Sequence, residues 1–329
     1  MKSKLLLCGI DVSKETLDIY SNNKLGRVIH FKVKNNKDGH KELIKRLGID
    51  RTYIMESTGV YSLAICLRLH KAGADLRVEN SLKIKRYIQM NMERHKNDKS
   101  DAKWIFKYGQ EHESKIWHLP SKAQFYCMQV LRAIELYKRS TTMFKNFSGS
   151  QKIHPFCYSV VKKSIASSQK KIEKEVAKLE KLVDSLITCW CGELKRNLLT
   201  IPSLGIRAVS YLIIYTDGFT KIQNARQLIA LAGTSPREYT SGTSINVKKR
   251  ICKMGYAALR KTLFICSWTA IRNNPACKEQ YERLKAAGKP SKVALIAVGN
   301  KLLRQAFAIA TNRTTYQYSY SPSLSRSIP

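Results

Sequence analysis

The chain has 329 residues, of which 59 are Lys or Arg and 24 are Asp or Glu, so its formal net charge is +35. An excess of this size indicates a polyanionic partner, and nucleic acid is the usual one. No apolar segment approaches the length of a membrane span and no signal peptide is evident, so we expect a cytoplasmic protein without a membrane partner. The nine Cys are scattered without a CxxC pair, which indicates reduced thiols rather than a disulfide framework or a zinc site.

The first third of the chain is predicted to alternate between strands and helices. An apolar segment at residues 5–10 predicts a buried strand that stops at Asp11. The other predicted strands cover residues 16–20, 26–34, 52–55 and 76–78. The predicted helices cover residues 39–47, 60–72 and 82–90, and one that begins near residue 96. This order predicts a mixed sheet with helices on its faces.

Four acidic residues of this region fall at comparable points of the predicted structure. Asp11 and Glu56 each follow a strand, and Asp98 and Asp101 share one face at the start of a helix. Four converging carboxylates suit Mg²⁺ or Mn²⁺ rather than zinc. Two such ions would hold the attacking and leaving oxygens of a phosphodiester, so the pattern favours metal-dependent phosphoryl transfer.

Two alternatives to this metal site remain open. Any single acid of the four is more often a helix cap or the partner of a nearby Lys. On spacing alone, Glu15, Asp18 and Glu93 also compete for a place in the site. The common placement of the four acids is what favours metal binding.

From Ser121 onward the pattern is helical, with a predicted break at residues 149–155. Apolar positions then recur at spacings of three and four, which is a heptad pattern. Its members are Val161, Ile165, Ser168, Ile172, Val176, Leu179, Val183 and Leu186. The pattern supports an intramolecular helical hairpin and a dimerising coiled coil about equally.

A third region begins near residue 198. Helices are predicted at residues 208–215, 224–232, 256–271, 278–287 and 291–311, and the Tyr/Ser-rich segment 314–329 is predicted to be disordered. Residues 233–244 form a loop rich in Gly, Ser and Thr that contains Ser241. Six cations near this loop are candidates for nucleic-acid contacts, namely Lys248, Lys249, Arg250, Lys253, Arg260 and Lys261.

Ser241 is a candidate nucleophile, since Gly242 allows its backbone to move and the nearby cations would stabilise a phosphorane. No local base is evident, because all seven His lie at or before His154. From the residues alone, a loop that only hydrogen-bonds phosphate is favoured over a nucleophile.

Five motifs together resemble a known family. They are Gly-Ile-Asp-Val-Ser-Lys at 9–14, Met-Glu-Ser-Thr-Gly-Val-Tyr at 55–61, Lys-Asn-Asp-Lys-Ser-Asp-Ala at 96–102, Ile-Pro-Ser-Leu-Gly at 201–205, and the segment 232–255 around Ser241. In this order they resemble the DEDD transposases, or recombinases, of insertion-sequence family one-hundred-and-ten, which are relatives of the Piv-type DNA invertases. The resemblance covers roughly residues 5–310.

The resemblance implies an α/β plus all-α fold in four parts. Residues 1–118 would form a RuvC-like (ribonuclease-H-like) mixed-sheet domain with the DEDD acids. Residues 119–197 would be the helical coiled-coil region that dimerises, residues 198–313 the mainly helical C-terminal transposase domain with the serine loop, and residues 314–329 a disordered tail.

The resemblance also implies the roles of individual residues. Asp11, Glu56, Asp98 and Asp101 would bind Mg²⁺, with Mn²⁺ as the alternative, and Ser241 would form a phosphoserine link to DNA. Ser244 stays the alternative nucleophile in the same loop. One departure from the family is Asn246-Val247, which stands where Arg-Gly is frequent, and another is Cys252 in place of a serine.

The implied partners are donor and target DNA, a structured noncoding bridge RNA that guides some members, and further copies of the chain. Dimers would assemble into tetramers in which acids and serine come from different subunits. Two other functions stay open: a two-metal, structure-specific DNA nuclease without a covalent serine intermediate, and a non-catalytic RNA- or DNA-binding remnant.

Overall fold

The computed structural model describes residues 6–92, 98–154, 156, 158–237, 240–241, 245–246 and 250–318. The side chains of residues 98–99, 240–241 and 245–246 lie outside this description. The chain divides into two compact units, Met1–Leu119 and Pro120–Pro329, and each is described by itself.

The first unit contains a five-stranded mixed sheet, as predicted. Its strands are Leu7–Val12 (β1), Thr16–Asn22 (β2), Val28–Lys34 (β3), Thr52–Glu56 (β4) and Asp75–Glu79 (β5). The spatial order is β3-β2-β1-β4-β5, with antiparallel pairing among β3, β2 and β1 and parallel pairing among β1, β4 and β5. This topology is compatible with the RuvC-like fold that the resemblance implies.

Four helices cover the two faces of the sheet. They are Lys37–Leu47 (α1), Val60–Lys71 (α2), Ser81–Met90 (α3) and Asp98–Glu111 (α4). On one face, Ile10 and Ile19 pack with Leu43 of α1 and Leu69 of α2. On the other face, residues of β1 and β4 pack with aromatic residues of α3 and α4, so α4 lies over β1. Successive strand residues point to opposite faces, which separates these two cores.

Strand β1 ends two residues later than predicted. The prediction placed Asp11 after the strand, whereas the observed strand continues through Asp11 to Val12. The reason is the β1–β2 hairpin, in which Val12 pairs with Leu17 and the backbone N–H of Ser13 donates to the carbonyl of Thr16 at 2.9 Å. Asp11 is therefore held by a ladder on the β2 side.

The second unit begins with two long helices, Lys122–Ile153 (α5) and Ser159–Leu199 (α6). They form an antiparallel hairpin, since the start of α5 shares a core with the end of α6 and Lys138 forms an ion pair with Glu180 at 2.6 Å. The break between the two helices begins later than the predicted residues 149–155, because α5 continues through Gly149 to Ile153. A single glycine costs a helix only about 1 kcal/mol, which a long helix tolerates.

The C-terminal half of the heptad stripe packs inside the hairpin. Val183 is buried, and Val176, Leu179 and Leu186 pack against the same core. Val161, at the other end of the stripe, is 38% exposed. The intramolecular hairpin is thus observed, and the dimerising coiled coil stays a prediction.

Five further helices complete this unit: Ile206–Thr216 (α7), Ala225–Ala232 (α8), Ala257–Asn273 (α9), Pro275–Ala286 (α10) and Ser291–Asn312 (α11). They share one hydrophobic core with α5 and α6. By length and composition α11 could cross a membrane, contrary to the expectation that no segment could. Its buried residues, among them Leu295, Val298 and Leu302, belong to this core, as expected for the central helix of a folded unit.

Four two-residue strands lie between α8 and α9. They are Pro236–Arg237 (β6), Thr240–Ser241 (β7), Ile245–Asn246 (β8) and Arg250–Ile251 (β9), and β6 pairs with β9 and β7 with β8. After α11, the backbone N–H of Tyr316 donates to Thr200 at 2.8 Å and its hydroxyl donates to Asn274 at 3.1 Å. The start of the predicted disordered tail is therefore docked, and residues 319–329 lie outside the described residues.

Candidate active site

Four carboxylates lie side by side across the first unit's sheet. Asp11 pairs with Asp18 of β2, and Glu56 of β4 pairs with Glu79 of β5. Asp11 and Glu56 are level with each other because the residues before them, on parallel strands, are paired. We call Asp18, Asp11, Glu56 and Glu79, which all face α4, the acid row. Adjacent strands lie about 4.8 Å apart, so neighbouring carboxylates of the row share one local environment.

Helix α4 brings a further acid toward this row. A Cβ atom on Gly9 would lie 2.5 Å from the backbone nitrogen of Phe106 and 2.6 Å from the carbonyl oxygen of Ala102. Gly109, later in the helix, lies against Leu7, earlier in the strand. The helix therefore runs opposite to β1, and its first turn, which holds Asp101, lies at the end of the strand that holds Asp11.

The outer two acids of the row carry their own cations. Asp18 is buried, and its carboxylate contacts Lys32 Nζ at 2.9 Å and His30 Nε2 at 3.3 Å. Glu79 contacts Lys83 Nζ at 3.0 Å. Burial by itself would raise the pKa of Glu79, but hydrogen bonds and the charge of Lys83 outweigh burial and lower that pKa. Glu79 is therefore ionised at neutral pH.

Three of the four predicted metal ligands are thus brought to one end of the sheet. Asp11, Glu56 and Asp101 are half-buried, and the side chain of Asp98 lies outside the described residues, although α4 begins at this residue. Within the described ranges, no group of three or more His, Cys, Asp or Glu is arranged to hold a metal ion. The donor set itself fits a hard cation, because carboxylate oxygens are the ligands that Mg²⁺ and Mn²⁺ prefer.

The structure separates the acids that competed for a place in the site. Asp18 belongs to the row, Glu15 is exposed in the β1–β2 turn, and Glu93 lies outside the described residues. Glu79 belongs to the row but was missed by the sequence analysis. A signal for it exists, since it follows the predicted strand 76–78 just as Glu56 follows the predicted strand 52–55.

Ser241 lies in the second unit at the end of β7, where it pairs with Ile245. The neighbouring two-residue ladder, between β6 and β9, pairs Pro236 with Ile251 and Arg237 with Arg250. Of the predicted nucleic-acid contacts, Arg250 and Lys253 are exposed at the end of this segment, whereas Lys248 and Lys249 lie outside the described residues.

The segments that enter and leave the serine loop, residues 231–237 and 250–256, are clamped together, and we call them the loop base. Backbone N–H groups of Cys252, Lys253 and Tyr256 donate across the base at 2.8–2.9 Å. Gly255 has φ +146°, and a Cβ atom there would collide with the carbonyl oxygen of Leu231. The base therefore requires a glycine at this position.

Arg260 and Lys261, the first two basic residues of α9, differ in their surroundings. Arg260 Nη1 donates to the carbonyl of Ala232 at 3.0 Å and to that of Lys253 at 3.4 Å, so its guanidinium holds the two sides of the loop base together. Lys261 is exposed. The nucleic-acid contacts assigned to both residues remain predictions.

Three stacked tyrosines join the loop base to neighbouring helices. The ring of Tyr256 lies 3.7 Å from that of Tyr215, which lies 5.5 Å from that of Tyr211. The Tyr215 hydroxyl donates to Glu135 of α5 at 3.3 Å. Burial raises the pKa of Tyr256, so its hydroxyl stays protonated at neutral pH. The exit of the loop is thus anchored to α7, and through Tyr215 to α5.

Comparison with known proteins gives matches along most of the chain. A transposase family model for the DEDD proteins of the IS110 type matches residues 8–145, and a model described as the transposase IS116/IS110/IS902 family matches residues 195–282. Together the two models match more than half of the chain.

Three relatives agree with these models. The "pilin gene-inverting proteins" of Moraxella bovis and Moraxella lacunata are each 26% identical over 314 residues, which cover 92% of this chain and 94% of theirs. An insertion element IS110 protein of Streptomyces coelicolor is 26% identical over 158 residues, covering 48% of this chain and 38% of its own. The resemblance of the motifs is thereby confirmed, and the chain belongs to the IS110 family of DEDD transposases, which act on DNA.

Proposed function

We propose that this protein is a cytoplasmic, site-specific DNA recombinase that excises and inserts its own insertion element by serine-mediated strand exchange. The acid row beneath the first turn of α4 is the observation that carries the proposal. It contains Asp11 and Glu56, two of the four acids that the family resemblance implies, and the turn above it holds Asp101. The net charge of +35 supports a nucleic-acid substrate.

The acids are assigned to a divalent cation. Asp11, Glu56, Asp98 and Asp101 would hold Mg²⁺, or Mn²⁺ in its place, in a RuvC-like domain. A bound divalent cation would neutralise phosphate charge and the repulsion among the carboxylates. Lys32 and Lys83 neutralise the outer two acids, Asp18 and Glu79, so these acids add little repulsion to the row before a cation binds.

Ser241 is assigned as the nucleophile. Its Oγ would form a bond to a DNA phosphorus, the phosphorus–oxygen bond to the neighbouring deoxyribose would break, and the released hydroxyl would take a proton. Since every His lies at or before His154, we assign the base to a carboxylate of the first unit. The hydrogen-bonded loop base supports this role, because a nucleophile must be held by rigid surroundings in a defined position.

Assembly and guidance complete the proposal. We assign the outer part of the α5–α6 hairpin to dimerisation as a coiled coil, where apolar residues such as Met143 (70% exposed) and Val160 (58% exposed) face solvent. Two dimers would form a tetramer in which acids and serine come from different subunits. A structured noncoding bridge RNA would pair with donor and target DNA.

The direct test is detection of a covalent protein–DNA adduct. With an element-end substrate and Mg²⁺, the natural protein should give an adduct that survives denaturation. Ser241→Ala should give none, Ser244→Ala should retain it, and Asp11→Asn should abolish it while the protein still binds DNA. Adducts from Ser241→Ala would refute the assignment of the nucleophile, and full recombination by Asp11→Asn would refute that of the acids.

The acid row also supports a second candidate, a two-metal structure-specific nuclease in which Ser241 only binds phosphate. Such an enzyme would release free DNA ends without an adduct, and Ser241→Ala would still cleave. A non-catalytic remnant would bind nucleic acid equally well after chelation of metal and would never cleave it.

A further inference from the structure

Helix α9 carries a solvent-facing stripe of which only Lys261 is predicted from the sequence to contact nucleic acid. Lys261, Ile265, Trp268 and Arg272 recur at spacings of four, three and four, so they lie on one face of the helix. Ile265 is 58% exposed and Trp268 is 48% exposed. The opposite face, with Leu259, Leu263, Cys266 and Ala270, is buried in the core. We call the exposed four residues the α9 stripe.

The two ends of the stripe are positively charged. Helix α9 contains no Asp or Glu between its first and last residues. Lys261 and Arg272 are exposed, and neither forms an ion pair with any residue in the described part of the chain. The stripe therefore offers two cations that flank an apolar and aromatic centre.

The indole ring of Trp268 is held by its neighbour in an orientation that leaves it accessible. Phe264 contacts it edge to face, with ring centroids 6.5 Å apart and an interplanar angle of 90°. With a rise of about 1.5 Å per residue, the two cations lie roughly 16 Å apart along the helix, with the ring between them. This distance is sufficient for a short run of nucleotides.

These residue types suit an unpaired strand better than a duplex. Reading base edges in a major groove requires side chains such as Arg, Asn or Gln at the centre of the helix face, and Ile265 has no polar group. Binding of single strands combines aromatic rings, on which bases stack, with cations that follow the phosphates. The α9 stripe has both components in that order.

A second copy of the chain is the other occupant to consider. If two α9 stripes packed together about a twofold axis, Lys261 of one copy would approach Arg272 of the other, and the apolar contact would be opposed by like charges. The net charge of +35 adds to this repulsion. Charge complementarity thus favours a polyanion.

We propose that the α9 stripe is a binding site for single-stranded nucleic acid, in which a base stacks on Trp268 and flanking phosphates contact Lys261 and Arg272. The inference rests on the proposed function for its substrate class, since strand exchange and a guide RNA both present unpaired nucleotides. It adds a site outside the acids and the serine loop.

Tryptophan fluorescence of the full chain provides the test. Trp104 is 7% exposed, and Trp117 and Trp190 are half-buried, so Trp268 is the most exposed of the four. Oligo-dT and oligo-U of twelve nucleotides should quench the emission, and a duplex of the same length should quench it far less. Trp268→Phe should remove this quenching. Trp268→Ala should weaken single-strand affinity about 10-fold in fluorescence anisotropy.

Two further variants separate stacking from charge. Lys261→Gln with Arg272→Gln should lower the slope of log affinity against log salt by about 1.4, since two phosphate contacts to a single strand are lost. Tyr126→Ala is the matched control, because Tyr126 is an aromatic residue that is 55% exposed on α5. It should leave single-strand affinity unchanged.

The proposal is overturned if neither oligonucleotide quenches Trp268, or if Trp268→Ala binds both as tightly as the natural protein. A change in oligomeric state on Trp268→Ala, seen by light scattering without a change in affinity, would assign the stripe to a second copy instead. Stronger binding of oligo-U would support a guide RNA as the source, and stronger binding of oligo-dT a melted DNA strand. Adduct formation is scored separately, so failure of the serine mechanism and failure of the stripe are distinguishable.

Discussion

The acid row and the serine loop are held in place by opposite means. The four acids lie on adjacent strands of one sheet, and the pairing of Asp11 with Asp18 and of Glu56 with Glu79 sets which carboxylates are neighbours. Ser241 lies on a ladder of only two residues, and the segments that enter and leave its loop are joined by backbone hydrogen bonds at the loop base. One site is part of a regular sheet, and the other is carried by a clamp.

The difference matches what the two sites are proposed to do. Ligands of a divalent cation must stay within narrow distances of one another, and a sheet provides this. A nucleophile that reaches a DNA backbone needs a segment that can adapt at its tip while its base stays rigid. If this comparison holds, changes under the acid row should disturb metal binding, and changes at the loop base should disturb only the serine.

The largest effect is expected from Gly9→Ala. The new Cβ would lie within about 2.6 Å of backbone atoms of Ala102 and Phe106, so α4 must shift and carry Asp101 with it. We expect overpacking to cost about 1–3 kcal/mol of folding free energy, and a displacement of about 1 Å to lower strand-exchange activity by about 100-fold. Thermal unfolding and adduct yield measure the two effects.

Gly149→Ala is the matched control for this substitution. Gly149 lies inside α5, and a Cβ atom there meets nothing within 4 Å. We expect it to raise stability by about 0.5–1 kcal/mol and to leave adduct yield unchanged, because alanine is the better helix former. Equal activity of Gly9→Ala and Gly149→Ala would contradict the role given to α4.

Gly255→Ala should disturb the serine loop without disturbing the acid row. Its positive φ and the contact with Leu231 leave no room for a side chain, so the loop base must open. We expect adduct formation to fall by about 10- to 100-fold. Metal affinity, measured by calorimetry with Mn²⁺, should stay that of the natural protein. A parallel loss of metal binding would show that the two sites are not independent.

A smaller and sharper test uses the neighbours Arg260 and Lys261. Arg260→Gln removes the donor shared by two backbone carbonyls, and we expect it to cost about 1–3 kcal/mol of stability and, as a predicted nucleic-acid contact, to lower the salt slope of DNA binding by about one. Lys261→Gln should lower the salt slope by about one and leave stability unchanged. If both variants changed only the salt slope, the clamp assigned to Arg260 would be wrong.

The smallest effect is expected at Glu180, which joins α6 to α5 and α7 through Lys138 and Arg207 at 2.6 and 2.9 Å. Burial would raise the pKa of Glu180, but the hydrogen bonds and charges of these two cations lower it. Because the pKa is lowered in the folded state, the stabilisation is present at neutral pH and is lost as the pH falls below the ordinary carboxyl value.

The carboxylate is 41% exposed, so Glu180→Gln should cost less than about 1 kcal/mol at neutral pH. At low pH the variant and the natural protein should unfold at the same temperature. A difference that persists in acid would mean that Glu180 acts through packing rather than through its charge.

Much of the architecture could be predicted because it depends on local patterns. The strands that carry Asp11 and Glu56, the helix that follows Ser121 and the apolar helices after residue 198 all follow from hydrophobic periodicity. The errors concerned where elements end. Strand β1 extends through Asp11 because β2 pairs with it, and α5 passes Gly149 because a long helix tolerates one glycine.

The sequence alone determined the residue types that the chemistry needs, the order of strands and helices, and the motifs that place this chain in its family. Only the tertiary structure decided that Asp18 and Glu79 lie beside Asp11 and Glu56, that Lys32 and Lys83 neutralise them, and that Arg260 clamps the serine loop. The reason is that strand register and the docking of segments decide which side chains meet, as where Glu56 pairs with Glu79 and Arg260 reaches Ala232, and hydrophobic periodicity does not encode that register.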